Sequence, residues 1–131
     1  MPDENLLQIT AYETKTWESK EDIVVTNFHP NAVIHSPLGE FETASAMEEI
    51  VKVWQGAFPD LKVDYFATIS EGDRVVRQWS ASGTHLGDFL GLEPTQRPIH
   101  YQGCTIYKIS NKKIVEYWCY INMEEIFAQL L

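Results

Sequence analysis

The hydrophobic pattern of this chain changes period once, from helical spacing in the first half to strict alternation in the second. In residues 4–19, Leu6, Leu7, Ile9, Ala11, Tyr12 and Trp17 recur at close to helical spacing. A shorter segment, Glu21 to Phe28, carries Ile23, Val24, Val25 and Phe28. His29-Pro30 ends it, because the residue before a proline is pushed out of helical backbone. Asn31 to Ser36 then reads as a short strand carrying His35. Ser45 followed by Glu48 has the form of a capping box, opening a helix that runs to about Phe58. Its apolar face is Met47, Ile50, Val51, Val53, Trp54 and Ala57, and Phe58-Pro59-Asp60 stops it.

From Leu61 onward apolar and polar residues alternate, the mark of strands. Four long strands are predicted: one from Leu61 to Ser70, then Arg74 to Thr84, Ile99 to Ile109 and Lys113 to Ile121. Glu71-Gly72-Asp73 and Ser110-Asn111-Lys112 supply turns, and a loop rich in glycine and proline spans His85 to Pro98. Met123 to Leu131 closes the chain as a short helix, apolar on one side. Helices followed by a meander of antiparallel strands define an α+β class. Strands this long, apolar on both faces, must twist and curl. One face then wraps the helices around an apolar, polar-tipped pocket suited to a small molecule. The other face, rich in Val, Tyr and Ile, needs cover, and a homodimer is the expected source.

Charge and composition narrow the partners. The 131 residues form one domain, 1–131, with 44% hydrophobic and 22% charged residues and no internal repeat. A net charge of −9 argues against nucleic acid and against an anionic membrane, since both need basic surface. No apolar run approaches the roughly 18 residues of a membrane span. The polar start Met1-Pro2-Asp3 does not resemble a secretion signal, so the cytoplasm is the expected location. Cys104 and Cys119 both fall in strands and read as reduced, buried thiols. His29, His35, His85 and His100 are too dispersed for a local metal motif, and no cofactor or metal is implied.

Several residues stand out as candidates for chemistry. Glu116 lies on a strand whose two faces are both apolar, so enclosure would raise its pKa and fit it as an acid/base. The structural alternative pairs it with an arginine such as Arg77. His85 leaves a strand at Gly83-Thr84-His85-Leu86-Gly87, where it is either a titrating group or a structural one. His35, flanked by apolar residues, is either a satisfied core histidine or a ligand contact. Trp54, Phe58, Trp79, Trp118 and Tyr120 are candidate walls of a cavity for a flat apolar ligand, with core filling as the alternative for each.

Five strings occur in an informative order: Ala57-Phe58-Pro59-Asp60-Leu61, Glu71-Gly72-Asp73-Arg74-Val75, Gly83-Thr84-His85-Leu86-Gly87, Pro94-Thr95, and Lys113-Ile114-Val115-Glu116-Tyr117-Trp118. In that order and spacing they resemble the SnoaL-like polyketide cyclases, also called predicted ester cyclases, of the nuclear-transport-factor-two-like superfamily. The resemblance covers about residues 5 to 130. It implies a cone-shaped α+β barrel, a strongly curved antiparallel sheet wrapped over three N-terminal helices. It also implies a dimer or higher oligomer, with the ligand at the deep end of the cone. In the family, a pocket aspartate is the acid/base of a cofactor-free intramolecular aldol closure of an anthracycline-precursor ester. Ketosteroid isomerase, scytalone dehydratase and limonene epoxide hydrolase share the cone, so the fold leaves the reaction open.

The family aspartate lies four residues after the tryptophan of the Glu-x-Trp string, which here is Asn122. An amide cannot take up a proton at ordinary pH. Losing a positioned acid/base costs about 10²–10⁴ in rate. If the chain is an enzyme, His35, His85 or Glu116 would handle protons, with Asn122 orienting a carbonyl. Two functions therefore compete. One is a cofactor-independent cyclase or isomerase acting on a flat, carbonyl-bearing, polyketide-like molecule. The other is a non-catalytic binding module of the same fold; a purely structural domain is a weaker third.

Overall fold

Asp3 caps the first helix: its carboxylate accepts the Leu6 N–H at 3.0 Å, satisfying a donor the first turn leaves free. This helix, α1 (Glu4–Glu13), continues into a wider turn over Thr14–Glu18, where the Ser19 N–H reaches back to the Thr14 carbonyl. The computed structural model describes residues 3–131; Met1 and Pro2 of the polar start lie outside them.

The second predicted helical segment contracts to α2 (Val24–Asn27), because Phe28 is already extended, with φ −104° and ψ 141°. Phe28 opens β1 (Phe28–Ser36), which folds back through a tight turn to the short β2 (Gly39–Phe41). The Ser36 hydroxyl holds that turn, accepting the Leu38 N–H and donating to the Gly39 carbonyl, each at 3.1 Å. Helix α3 (Ala44–Ala57) is capped by Thr43 rather than by Ser45. Thr43 has the extended backbone an N-cap requires and accepts the Ser45 N–H at 3.3 Å, whereas Ser45 already lies in the first turn. Met47, Ile50, Val51, Trp54 and Ala57 are buried, as the helical spacing predicts.

Four long strands follow: β3 (Lys62–Glu71), β4 (Arg74–Thr84), β5 (Pro98–Ser110) and β6 (Lys113–Ile121). Asn111 and Lys112 both take positive φ, 52° and 64°, forming the two-residue turn whose twist suits the β5–β6 hairpin. The sheet has six strands in the order β2-β1-β6-β5-β4-β3. It is mixed rather than wholly antiparallel, since β1 runs parallel to β6. No hairpin joins these two strands, so no turn forces them to oppose each other. Helix α4 (Met123–Leu130) ends the chain.

The sheet is curved and unclosed, an α+β cone with the N-terminal helices on its concave side. Three irregularities in register add to the bend: one between Tyr65 and Ala67 on β3, one between Lys108 and Ile109 where β5 meets β6, and one between Phe28 and Val33 where β1 meets β6. The second has a further effect: it turns Ile114 inward, fully buried, although regular alternation groups it with Glu116.

A long loop leaves β4 and folds onto the end of α3, where the Leu86 and Gly87 N–H groups both donate to the Ala57 carbonyl at 3.0 and 3.1 Å. A Cβ on Gly87 would lie 2.0 Å from the Gly56 carbonyl oxygen, so only glycine permits this approach. Asp60 fixes the start of the same loop by accepting the Thr84 N–H at 2.7 Å and its hydroxyl at 2.8 Å. Those bonds hold the Asp60 carboxyl below its ordinary pKa. The Phe-Pro-Asp and Gly-Thr-His strings thus meet in space as one structural clamp.

Candidate functional site

On the concave face, alternate positions of the long strands aim Tyr65, Trp79, Tyr101, Tyr107 and Tyr117 at the helices. With Trp54 of α3 and Tyr12 and Trp17 of the first helix they enclose a cavity of about 50 Å³. Trp54 stacks on Tyr101, with centroids 5.6 Å apart, and the same ring takes Trp79 edge-on at 5.7 Å. Trp79 lies flat over Gly103, where an added Cβ would come within 2.3 Å of the indole. Its Nε1–H donates to the Thr105 hydroxyl at 2.9 Å, and Thr105 in turn faces the Cys119 sulfur at 3.9 Å. Burial pushes the Cys119 thiol up to about 11, so it stays protonated.

Behind this wall lies a charged group that the strand pattern does not announce. Glu13, 1% exposed, accepts the Arg77 Nε–H at 3.0 Å through Oε1 and the Tyr107 hydroxyl at 3.1 Å through Oε2. Arg77 also donates from Nη1 to Thr68 at 2.7 Å and lies 4.2 Å above the Tyr65 ring. Burial pushes the Glu13 carboxyl up to about 7, outweighing the attraction of Arg77 and the two hydrogen bonds. The neighbouring Tyr12 hydroxyl is buried and has no hydrogen-bond partner among the described residues. The sequence signal was there: Ile9, Tyr12, Glu13 and Thr16 share one helical face, which puts the carboxylate among core residues.

The residues singled out in the sequence divide between two places. Trp54 and Trp79 line the cavity, and Phe58 is fully buried behind Trp54 at 6.2 Å. His35, Trp118, Tyr120 and Asn122 line an open groove of about 580 Å³ on the convex side, with Glu116 bonded to His35 at its margin. The groove adjoins the cavity at Ser36, Pro37, Cys119 and Ile121. From β6 the cavity is lined by Tyr117, Cys119 and Ile121, because alternation turns Trp118 and Tyr120 to the opposite face. His85 belongs to neither group. It is fully buried against Phe58, and its Nδ1 accepts the Thr95 N–H at 3.1 Å, which assigns the proton to Nε2.

The convex groove is built around His35. Its Nδ1 meets Glu40 at 2.5 Å and its Nε2 meets Glu116 at 2.7 Å. The expected Arg77–Glu116 pair is replaced by this one, since Arg77 points to the concave side. Hydrogen bonding to Glu116 raises the His35 pKa; burial opposes the rise, and the Glu40 contact adds to it. An imidazolium with both N–H groups engaged has no lone pair with which to accept a proton. Trp118 stacks on His35 at 5.4 Å and carries the Arg74 guanidinium 5.0 Å from its ring. Asn122 caps α4, accepting the Glu125 N–H at 3.3 Å. Among the described residues no cluster of His, Cys, Asp and Glu is arranged to hold a metal ion. No helix among them is long and apolar enough to cross a membrane.

An aromatic cavity between a curved sheet and its helices defines a cone-fold protein built to enclose a small molecule. The chain belongs to the SnoaL-like polyketide cyclase family, whose sequence model matches residues 7–130. Among solved structures it is similar to AclR from Streptomyces galilaeus, with 24% identity over 97% of this chain and 95% of that one and a TM-score of 0.85. TsrD from Streptomyces laurentii is 18% identical over 99% and 97% of the two chains, with a TM-score of 0.85. A SnoaL-like polyketide cyclase from Agrobacterium tumefaciens is 18% identical over the full length of both, with a TM-score of 0.81. At these identities the likeness is one of fold. No curated protein sequence matches the chain.

Proposed function

We propose that this protein is a cofactor-independent cyclase or isomerase that encloses a flat, carbonyl-bearing small molecule in the concave cavity. The observation that carries the reading is the lining: aromatic walls with the Tyr12 and Tyr101 hydroxyls among them. Such groups can donate to an oxygen that gains negative charge as an enolate forms. In an aldol closure a base takes the proton from the α-carbon, and the enolate carbon attacks a second carbonyl of the same ligand. The alkoxide then takes that proton back from the base. The carboxylate nearest the cavity is Glu13, behind the Tyr107 hydroxyl. No electron acceptor is needed. A ligand larger than the present cavity would enter by displacing side chains at the open end, where Trp17 and Pro37 line it.

A specific observation favours the second reading, binding without turnover. Asn122 uses its side chain as a helix cap, and His35, Glu116 and His85 do not line the cavity. One experiment separates the two. A tricyclic anthraquinone methyl ester with an enolisable side-chain ketone is mixed with the protein, following tryptophan fluorescence and the mass and absorbance of the ligand. Saturable quenching with ring closure supports the enzyme; saturable quenching with unchanged ligand supports the binding module. Neither quenching nor closure would remove both. Outside the cone, exposed Phe66, Ile69 and Tyr120 on the convex face fit cover by a second copy, and a homodimer acting in the cytoplasm completes the proposal.

A further inference from the structure

Arg77 can only donate hydrogen bonds, and it donates to Glu13 Oε1. When Glu13 takes up a proton, the better-placed oxygen to carry it is Oε2, which faces the Tyr107 hydroxyl 3.1 Å away and not a cation. Tyr107 then has to accept from the acid, and its own O–H is left without its present acceptor. Its ring also lines the cavity, which gives the released O–H a place to turn.

We infer that Glu13 is a positioning residue that sets the polarity of the cavity through Tyr107. With the carboxyl protonated, the Tyr107 O–H points into the cavity and the site accepts a ligand carbonyl oxygen. With the carboxylate ionised, the O–H points back to Glu13, and the cavity presents only the Tyr107 oxygen, which suits a ligand hydroxyl. The inference rests on the proposed use of the cavity for a small molecule and adds a substrate preference that depends on one proton.

The surroundings support it. The groups facing Glu13 leave the choice to this carboxyl: Arg77 from β4 donates to it, and Tyr107 from β5 and Tyr65 from β3 have pKa values raised by burial. On its own helix, Tyr12 is raised in the same way. Glu13 is thus the one group of the cluster whose proton exchanges near neutrality. The unpartnered Tyr12 hydroxyl, whose ring meets Tyr107 edge-on at 6.4 Å, gives a ligand oxygen a second donor in the same corner.

The probe is 2-acetylnaphthalene, with 2-ethylnaphthalene as the same shape lacking the carbonyl, titrated calorimetrically from pH 5.5 to 8.5. For the wild type, affinity for the ketone should fall about tenfold across that range, the worth of one hydrogen bond. The hydrocarbon should bind with no pH dependence, which excludes effects of His35 on the opposite face. Glu13→Gln supplies the sharper test. Its amide oxygen must face Arg77, so its NH₂ faces Tyr107 and copies the protonated acid. This variant should bind the ketone at every pH as the wild type does at pH 5.5, whereas Tyr107→Phe should bind at the weaker level throughout. A wild-type ketone affinity that ignores pH, or a Glu13→Gln variant that binds weakly, overturns the inference. Should neither naphthalene bind, the use of the cavity is in question, and infrared spectroscopy decides the inference separately. A protonated-carboxyl band present at pH 5.5, lost by pH 8.5 and absent from Glu13→Gln supports it; a carboxylate throughout that range overturns it.

Discussion

The two faces of the sheet each set carboxylates against a cation, and burial makes them behave in opposite ways. On the concave side Glu13 and Arg77 are almost sealed from water, and the carboxyl is pushed towards its neutral form. On the convex side His35, Glu40 and Glu116 keep partial contact with solvent, and the imidazole is pushed towards its charged form. The outer bonds are shorter, 2.5 and 2.7 Å against 3.0 Å. Desolvation also weighs differently: it dominates inside and is outweighed by hydrogen bonding outside. An ion pair is therefore a source of chemistry in one place and of modest stability in the other.

The largest effect should come from breaking the inner pair. Arg77→Met leaves Glu13 buried without a cation and should cost about 3–5 kcal/mol in urea unfolding at pH 8. The folded carboxyl has a raised pKa, so folding takes up a proton and stability falls as pH rises from about 4.3, the unfolded value, to about 7. The Arg77→Met loss should accordingly shrink at pH 5, where Glu13 carries its proton. An equal loss at both pH values would mean that Glu13 is ionised throughout, and the contrast between the faces would collapse.

A smaller effect belongs to the seam between the faces, at the end of β6. Asn122→Ala removes the α4 cap and should cost about 1 kcal/mol, while Asn122→Asp should keep the cap and the stability. Thermal melts of both variants check this. If Asn122→Ala unfolds no more readily than the wild type, the side chain is free for another role.

The smallest effect should be on the convex side. His35→Gln should cost less than about 1 kcal/mol, because the ion pairs are partly exposed. Their contribution is fully present below the unfolded histidine value of about 6.5 and is lost as pH rises through the higher folded pKa. Added salt should weaken it as well. A loss as large as that of Arg77→Met would show that the groove is covered in solution, as a dimer through this face requires.

Much of this architecture can be read from local pattern. The limits of β4 and β6 coincide with the predicted ones, because alternation and turn residues mark both ends. The strand β2 escaped notice because it has only three residues, too few to display a period. The parallel partner of β1 is a matter of distance along the chain, which no local signal encodes. The site was less legible for a different reason. Both faces of β6 are apolar, so alternation separated Trp118 from Tyr117 without saying which faced inward. Trp54 and Trp79 stand out in the sequence as candidate walls and line the cavity, whereas Glu13 has no signal beyond its place on the buried face of α1. The family position, Asn122, serves as the α4 cap and lines the groove, not the cavity.

The parallel pairing of β1 with β6 also has a consequence in time. The His35–Glu116 contact joins residues 81 positions apart, and Tyr107 reaches Glu13 across 94. During synthesis the first strand must wait for nearly the whole chain before its neighbour exists. Contacts of this separation slow folding, because closing the loop comes before any reward. Until β5 and β6 arrive, Glu13 is an ordinary solvated carboxylate at the end of a lone helix. The proton it holds near neutral pH is acquired only as the last strands close over it.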